Sequence, residues 1–163
     1  MLRAFLAALL VCGFLPQAQA QSLQRIDIVS AGIVKLGKIK TIDNPSLSTE
    51  SRTESNATLV RRTTTIPGRK DTVFGAEAEF IGSPKGRKVE VRIVWRYPEP
   101  GLRNPATGKT TLVDEYSQAR VIGERAWFYW NLAEEWTLVP GEWKFEIWQG
   151  DRKLATQNFL LQD

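Results

Sequence analysis

Two pairs of carboxylates stand side by side in this sequence, Asp114-Glu115 and Glu134-Glu135. Paired carboxyl groups are the machinery of glycoside hydrolysis, which needs them about 5–9.5 Å apart on opposite sides of the bond to be broken. Neither pair is well disposed for it. Neighbours on a strand project to opposite faces, which separates Asp114 from Glu115, and Glu134-Glu135 reads as a solvated turn. The chain has no His and a single Cys, Cys12. It therefore lacks the most frequent general base and metal ligand, and no Ser-His-Asp triad can be assembled. There is no Ser-x-x-Lys pair, no Gly-rich phosphate loop and no EF-hand calcium loop. We expect no catalytic residue, no metal and no cofactor.

Binding chemistry is better represented. The segment Tyr97–Lys109 (YPEPGLRNPATGK) carries Pro98, Pro100 and Pro105, which fix φ at three positions, and Gly101 and Gly108, which permit tight turns. Tyr97, Arg103, Asn104 and Lys109 are its candidate binding residues, presented as polar contacts from a stiff frame. The same stiffness serves a structural crossover holding two sheets together. Trp127, Phe128, Tyr129 and Trp130 are four consecutive aromatics. On a strand they divide between two faces, which leaves rings available to a sugar or a protein unless a second layer covers them.

The elements that must position these groups follow a period of two. Phe74, Ala76, Ala78 and Phe80 alternate with Gly75, Glu77 and Glu79; Val89, Val91, Ile93, Trp95 and Tyr97 alternate with Glu90, Arg92, Val94 and Arg96. Both are half-buried strand patterns. Gly82-Ser83-Pro84-Lys85-Gly86 between them reads as the turn of a hairpin. Trp143, Phe145 and Ile147, the turn Gly150-Asp151 and the return segment Leu154–Leu161 predict a second hairpin. Weaker strand candidates are Arg25–Leu36, Thr58–Ile66, Thr111–Ala119 and Arg125–Leu132. Ala133–Trp136 allows one helical turn. Residues 41–56 (TIDNPSLSTESRTESN) have almost no large apolar groups and read as a long mobile loop. The expected core is Phe74, Phe80, Val91, Ile93, Trp95, Trp143, Phe145 and Phe159. Together these features predict an all-β, immunoglobulin-like antiparallel β-sandwich of about seven to nine strands.

Residues 1–20 read as a cleaved signal peptide. Arg3 supplies the positive end, Ala4–Leu15 a 12-residue apolar run, and Ala18-Gln19-Ala20 the cleavage site. Residues 21–163 then form a single domain, periplasmic, with no membrane span after processing. Without Arg3, 21 Lys+Arg face 18 Asp+Glu. Basic groups gather between Arg61 and Lys88 and acidic groups between Asp114 and Asp151, a mixed surface that does not indicate nucleic acid, and export points the same way.

Three segments share a pattern beyond their composition: TIPGRKDTVFG (65–75), YPEPGLRNPATGK (97–109) and VPGEWKFEIWQGDRKLA (139–155). In these the chain resembles the bacterial domain of unknown function 3859 family, over roughly Ile26–Leu161. The resemblance implies one compact, mostly β domain and carries no established activity and no catalytic residues. The resulting expectation is an exported, non-catalytic binding or interaction module, its partner an unidentified protein or envelope polymer. The alternatives are an envelope polysaccharide-binding protein or carboxylate-dependent glycoside hydrolase, and strand donation at an open sheet edge.

Overall fold

The computed structural model describes residues 22–163. The signal-peptide reading of residues 1–20 concerns residues outside that range. The described residues form thirteen strands: β1 (Ser22–Leu36), β2 (Lys40–Asp43), β3 (Ser51–Glu54), β4 (Ala57–Arg62), β5 (Thr65–Pro67), β6 (Val73–Ser83), β7 (Lys88–Arg96), β8 (Leu102–Arg103), β9 (Thr110–Thr111), β10 (Val113–Val121), β11 (Arg125–Asn131), β12 (Gly141–Gln149) and β13 (Arg152–Gln162). Nine of them build two sheets, ordered β11-β6-β1-β4 and β10-β7-β12-β13-β5. β2-β3 and β8-β9 are separate two-stranded ladders. All pairings are antiparallel except β13 with β5. Glu135–Thr137 makes one short 3-10 turn, the helical turn expected near there. Among the described residues no helix is long and apolar enough to cross a membrane.

The apolar positions of the alternating strands meet between the two sheets. All eight expected core residues are buried there. Phe74 reaches across from the four-stranded sheet into a ring cluster of the five-stranded one, with centroids 6.0 Å from Trp95, 5.8 Å from Trp143 and 5.0 Å from Phe159. The crossings are edge-on, the arrangement favoured by the ring quadrupoles. The β12-β13 hairpin forms as expected, with Gln149 opposite Arg152 and Gly150 at φ 54°.

Three expectations are corrected. β6 and β7 are not a hairpin: β6 pairs with β1 and β11, β7 with β10 and β12. Residues 82–86 carry the chain from one layer to the other. Alternation fixes which side chains face inward but not which strand lies alongside, and Phe80 and Val89 meet the same core from opposite sheets. The candidate Thr58–Ile66 is two strands, because β4 joins β1 in one sheet and β5 joins β13 in the other. Finally, residues 41–56 are not a long loop. β2 and β3 form a hairpin arm that continues the β1-β4 pair through the Gly37 N–H donating to the Asn56 carbonyl at 2.9 Å. Its tip is closed by Asn44, whose side chain accepts from the Ser46 hydroxyl at 2.6 Å, and Leu47 there is only 5% exposed. The arm escapes hydrophobic patterning because polar bonds hold it.

Gly75 allows β6 and β11 to lie unusually close. A Cβ there would collide with the Phe128 carbonyl oxygen and come within 2.6 Å of the Tyr129 Cα. Both are backbone atoms that cannot turn aside. Gly75→Ala is expected to destabilise by about 1–3 kcal/mol, the usual range for overpacking, read as a lower urea midpoint.

The outer face of the five-stranded sheet carries a second, polar layer. Glu146 is buried there although it points away from the core. It accepts from Arg96 Nε at 3.2 Å, Lys153 Nζ at 3.2 Å and Trp148 Nε1 at 3.0 Å. Burial alone would raise its pKa. The indole, ammonium and guanidinium donors outweigh that and hold it below the ordinary Glu value. A carboxyl whose folded pKa is depressed stabilises above its unfolded pKa of about 4.3, and the contribution disappears as pH falls through the folded value. Glu146→Gln is therefore expected to be less stable than the parent by about 1–3 kcal/mol at neutral pH. The gap should close as thermal melts are taken from pH 6 down to pH 3.

Candidate functional site

The Tyr97–Lys109 segment is a small hairpin of its own, with Leu102 opposite Thr111 and Arg103 opposite Thr110. Its four candidate residues separate into two kinds. Asn104 is 7% exposed and fully engaged. Its N–H donates to the Lys109 carbonyl (3.0 Å) and its carbonyl accepts from Gly108 (2.8 Å). Its Oδ1 accepts from the Ala106 N–H (2.9 Å) and its Nδ2 donates to the Ser48 carbonyl (3.0 Å). Tyr97 is buried between Trp130 and Trp143, with centroids at 5.2 and 4.8 Å, and its hydroxyl donates to Asp114 Oδ2 at 2.8 Å. Burial first, then the Asp114 charge, keeps that hydroxyl protonated far into the alkaline range. Tyr97 and Asn104 are therefore corrected from ligand contacts to clamps, since both are buried and their side-chain polar atoms bond inside. Arg103 and Lys109 are exposed, and Lys109 Nζ lies 3.5 Å from the Ser46 carbonyl on the arm.

The carboxylate pairs part as strand geometry requires. Asp114 points inward, 3% exposed, and accepts from the Ser48 N–H at 2.9 and 3.0 Å as well as from the Ser48 hydroxyl. Glu115 points outward and pairs with Arg92 at 3.0 Å. Glu134 and Glu135 are exposed, the first capping the 3-10 turn and the second opening it. Asp114 thus anchors the arm tip from a position 66 residues away in sequence. No local pattern could have revealed that partnership.

The arm lies over the side of the sandwich where both sheets end. β10 and β11 are the edge strands there, each laddered on one side only. Between them and the arm runs a groove of about 760 Å³, within the size range of small-molecule and oligomer sites. The arm contributes Lys38, Lys40, Arg52, Glu54 and Asn56; β10 contributes Tyr116, Gln118 and Arg120; β11 contributes Arg125, Trp127 and Tyr129; and Glu77 comes from β6. A smaller cavity of about 150 Å³ between the arm and Trp95, Tyr116 and Trp130 shows that the arm does not seal onto the core.

The groove exists because the inward row of β10 is polar. Asp114, Tyr116, Gln118 and Arg120 are the covered positions, while Val113, Glu115, Ser117 and Ala119 face solvent. That inversion was readable in the sequence as polar residues at every second position, and it is the signal the sequence reading passed over. The four-aromatic run divides as expected. Phe128 is buried, Trp130 packs against the core, and Trp127 and Tyr129 are half-buried on the groove. Tyr129 donates to the Thr53 carbonyl at 3.2 Å. Burial pushes Tyr116 up to about 12 against the opposing pull of Arg52 and Arg120, so it stays a neutral donor. Arg52 sits 5.1 Å over the Tyr116 ring and Arg120 5.1 Å over the Phe128 ring. Among the described residues no cluster of three or more His, Cys, Asp or Glu groups suits a metal ion.

Comparison with known proteins bears on the fold. An immunoglobulin-like protein from Pseudomonas aeruginosa is similar in structure at a TM-score of 0.54 and 23% identity, over 79% of this chain and 96% of that one. A β-glucosidase from Listeria innocua in complex with glucose aligns at a TM-score of 0.35 and 7% identity, over 82% of this chain and 16% of that one, too remote to bear on this chain. No curated protein matches. Residues 22–161 match the family described as "Domain of unknown function (DUF3859)". That span takes in both sheets, the arm and the Tyr97–Lys109 clamp, and the chain belongs to the DUF3859 family.

Proposed function

We propose that this protein is an exported, non-catalytic binding module whose ligand face is the groove between β10, β11 and the β2-β3 arm. The observation that carries the reading is the groove itself. It is a large, polar, aromatic-lined opening where the sandwich core ends, framed by an arm that touches both sheets without pairing with either edge strand, β10 or β11. Scaffold edges with rigid walls and adjustable loops are where β-sandwich domains place recognition. Export is supported by the composition of residues 1–20, which predicts a periplasmic module with an envelope polymer or protein as its partner.

A photo-cross-linking side chain introduced at Trp127 tests the reading in living cells. A discrete adduct from position 127, with none from the exposed control Glu90, is the expected result. Adducts from Arg103 or Lys109 but not from Trp127 would shift the ligand face to the Tyr97–Lys109 segment, where these two side chains are exposed.

A further inference from the structure

If the groove is the ligand face, as proposed above, its balance of donors and acceptors decides what it takes. Arg120 is half-buried, yet among the described residues no carboxylate lies within ion-pair distance of it, and its Nε has no acceptor. Gln118, two residues earlier in the same inward row, has an Nε2 that also lacks an acceptor. Lys38 and Lys40 line the arm side, exposed and, among the described residues, without a carboxylate at ion-pair distance. The acids do not match them. Glu54 is committed to Arg52 at 2.7 Å, Arg125 is held by Glu79 at 2.9 Å, and Glu77 is the remaining carboxylate on the lining. A partly covered guanidinium without a counterion is unfavourable, and an occupant bringing charged oxygens relieves it while forming charge-assisted bonds.

The second feature is aromatic. Trp127 and Tyr129 share one side of β11 and stand half-buried at the groove wall. Flat rings beside hydrogen-bonding groups such as Gln118 and Asn56 suit a hydroxylated ring with an apolar C–H face. We propose that the groove binds an acidic saccharide. A uronate-type carboxylate sits against Arg120, Gln118 and Lys40, and the sugar ring packs on Trp127 or Tyr129.

The test is calorimetric titration of the purified protein with a galacturonate hexasaccharide, with neutral maltohexaose and inorganic phosphate as comparators. The hexauronate is expected to bind, and to weaken as salt rises. Arg120→Gln and Trp127→Ala should each reduce its affinity about tenfold or more, and Lys40→Ala by less. Lys40 is exposed, so its variant keeps the test valid should Arg120→Gln perturb folding, which a thermal melt reports. Neutral maltohexaose bound as tightly as the uronate, or binding indifferent to Arg120→Gln, overturns the acidic ligand and leaves the groove as the binding face. Phosphate bound as tightly as the hexauronate overturns the saccharide, as does failure of the hexauronate to bind. Uronate binding that survives the Lys40, Arg120 and Trp127 substitutions but is lost on Arg103→Ala overturns the groove reading itself.

Discussion

Trp143→Ala is expected to lower stability by about 3–5 kcal/mol, the range for deleting a large aromatic side chain from a packed core. For a domain of this size that means a fall in Tm of about 10–20 °C. Trp143 has no exposed surface, and its ring meets Phe74, Tyr97 and Trp130 at centroid distances of 5.8, 4.8 and 5.5 Å. Its indole N–H donates to the Val139 carbonyl at 2.9 Å, which fixes the chain where it enters β12. Alanine would remove the ring that joins Phe74 of one sheet to the Tyr97–Trp130 pair at the edge, and it would strand a carbonyl. Trp148→Ala is the control. Trp148 is only part-buried, on the outer face against Arg92 and Lys153, and its loss should be the milder. Differential scanning calorimetry of both variants decides the matter. Equal losses would mean that the ring cluster is not the main source of cohesion.

Asp114→Ala is the second large effect, expected at about 3–5 kcal/mol because it breaks a buried charged network and leaves its partners unpaired. The Tyr97 hydroxyl, the Ser48 N–H and the Ser48 hydroxyl would all lose their acceptor at once. The consequence is local as well as global. The arm tip would retain the Asn104–Ser48 bond and the Lys109 contact but lose its charged anchor. Limited proteolysis should then cut residues 44–56 in Asp114→Ala well before the rest of the domain opens, and amide exchange at Thr53 and Ser55 should accelerate. Asp114→Asn keeps an acceptor and should lose less. An arm as protected in Asp114→Ala as in the parent would show that the anchor lies elsewhere.

The two layers were legible in the sequence because burial and strand period coincide in β6, β7, β12 and β13. A residue such as Phe145 has one place to go when every second neighbour is charged or polar. Partnership was less legible. Nothing in Gly82–Gly86 distinguishes a turn within a sheet from a crossing between sheets, and nothing in Thr58–Ile66 announces a strand that changes layers. The arm was invisible for a different reason. Its order rests mainly on bonds from Ser48 to Asp114 and Asn104, residues remote in sequence, with Leu47 a lone buried apolar side chain between polar neighbours. The stiffness of Tyr97–Lys109 was plain from its prolines, but inward and outward side chains were not, so Tyr97 and Asn104 passed for contacts when they are clamps. Arg120 emerges only when β10 is recognised as an edge strand with an inverted pattern.

The arm has one more consequence, for the behaviour of many copies together. Every open sandwich ends in strands whose outward amides and carbonyls can recruit another chain. In this molecule β10 and β11 end on the same side, and the arm lies across them. Its charged and hydroxyl-bearing residues shield that flank without completing either ladder. A chain whose arm has swung away would present two adjacent templates to its neighbours. At high concentration such chains would be prone to stack edge to edge, and the Ser48–Asp114 latch holds the arm against that exposure.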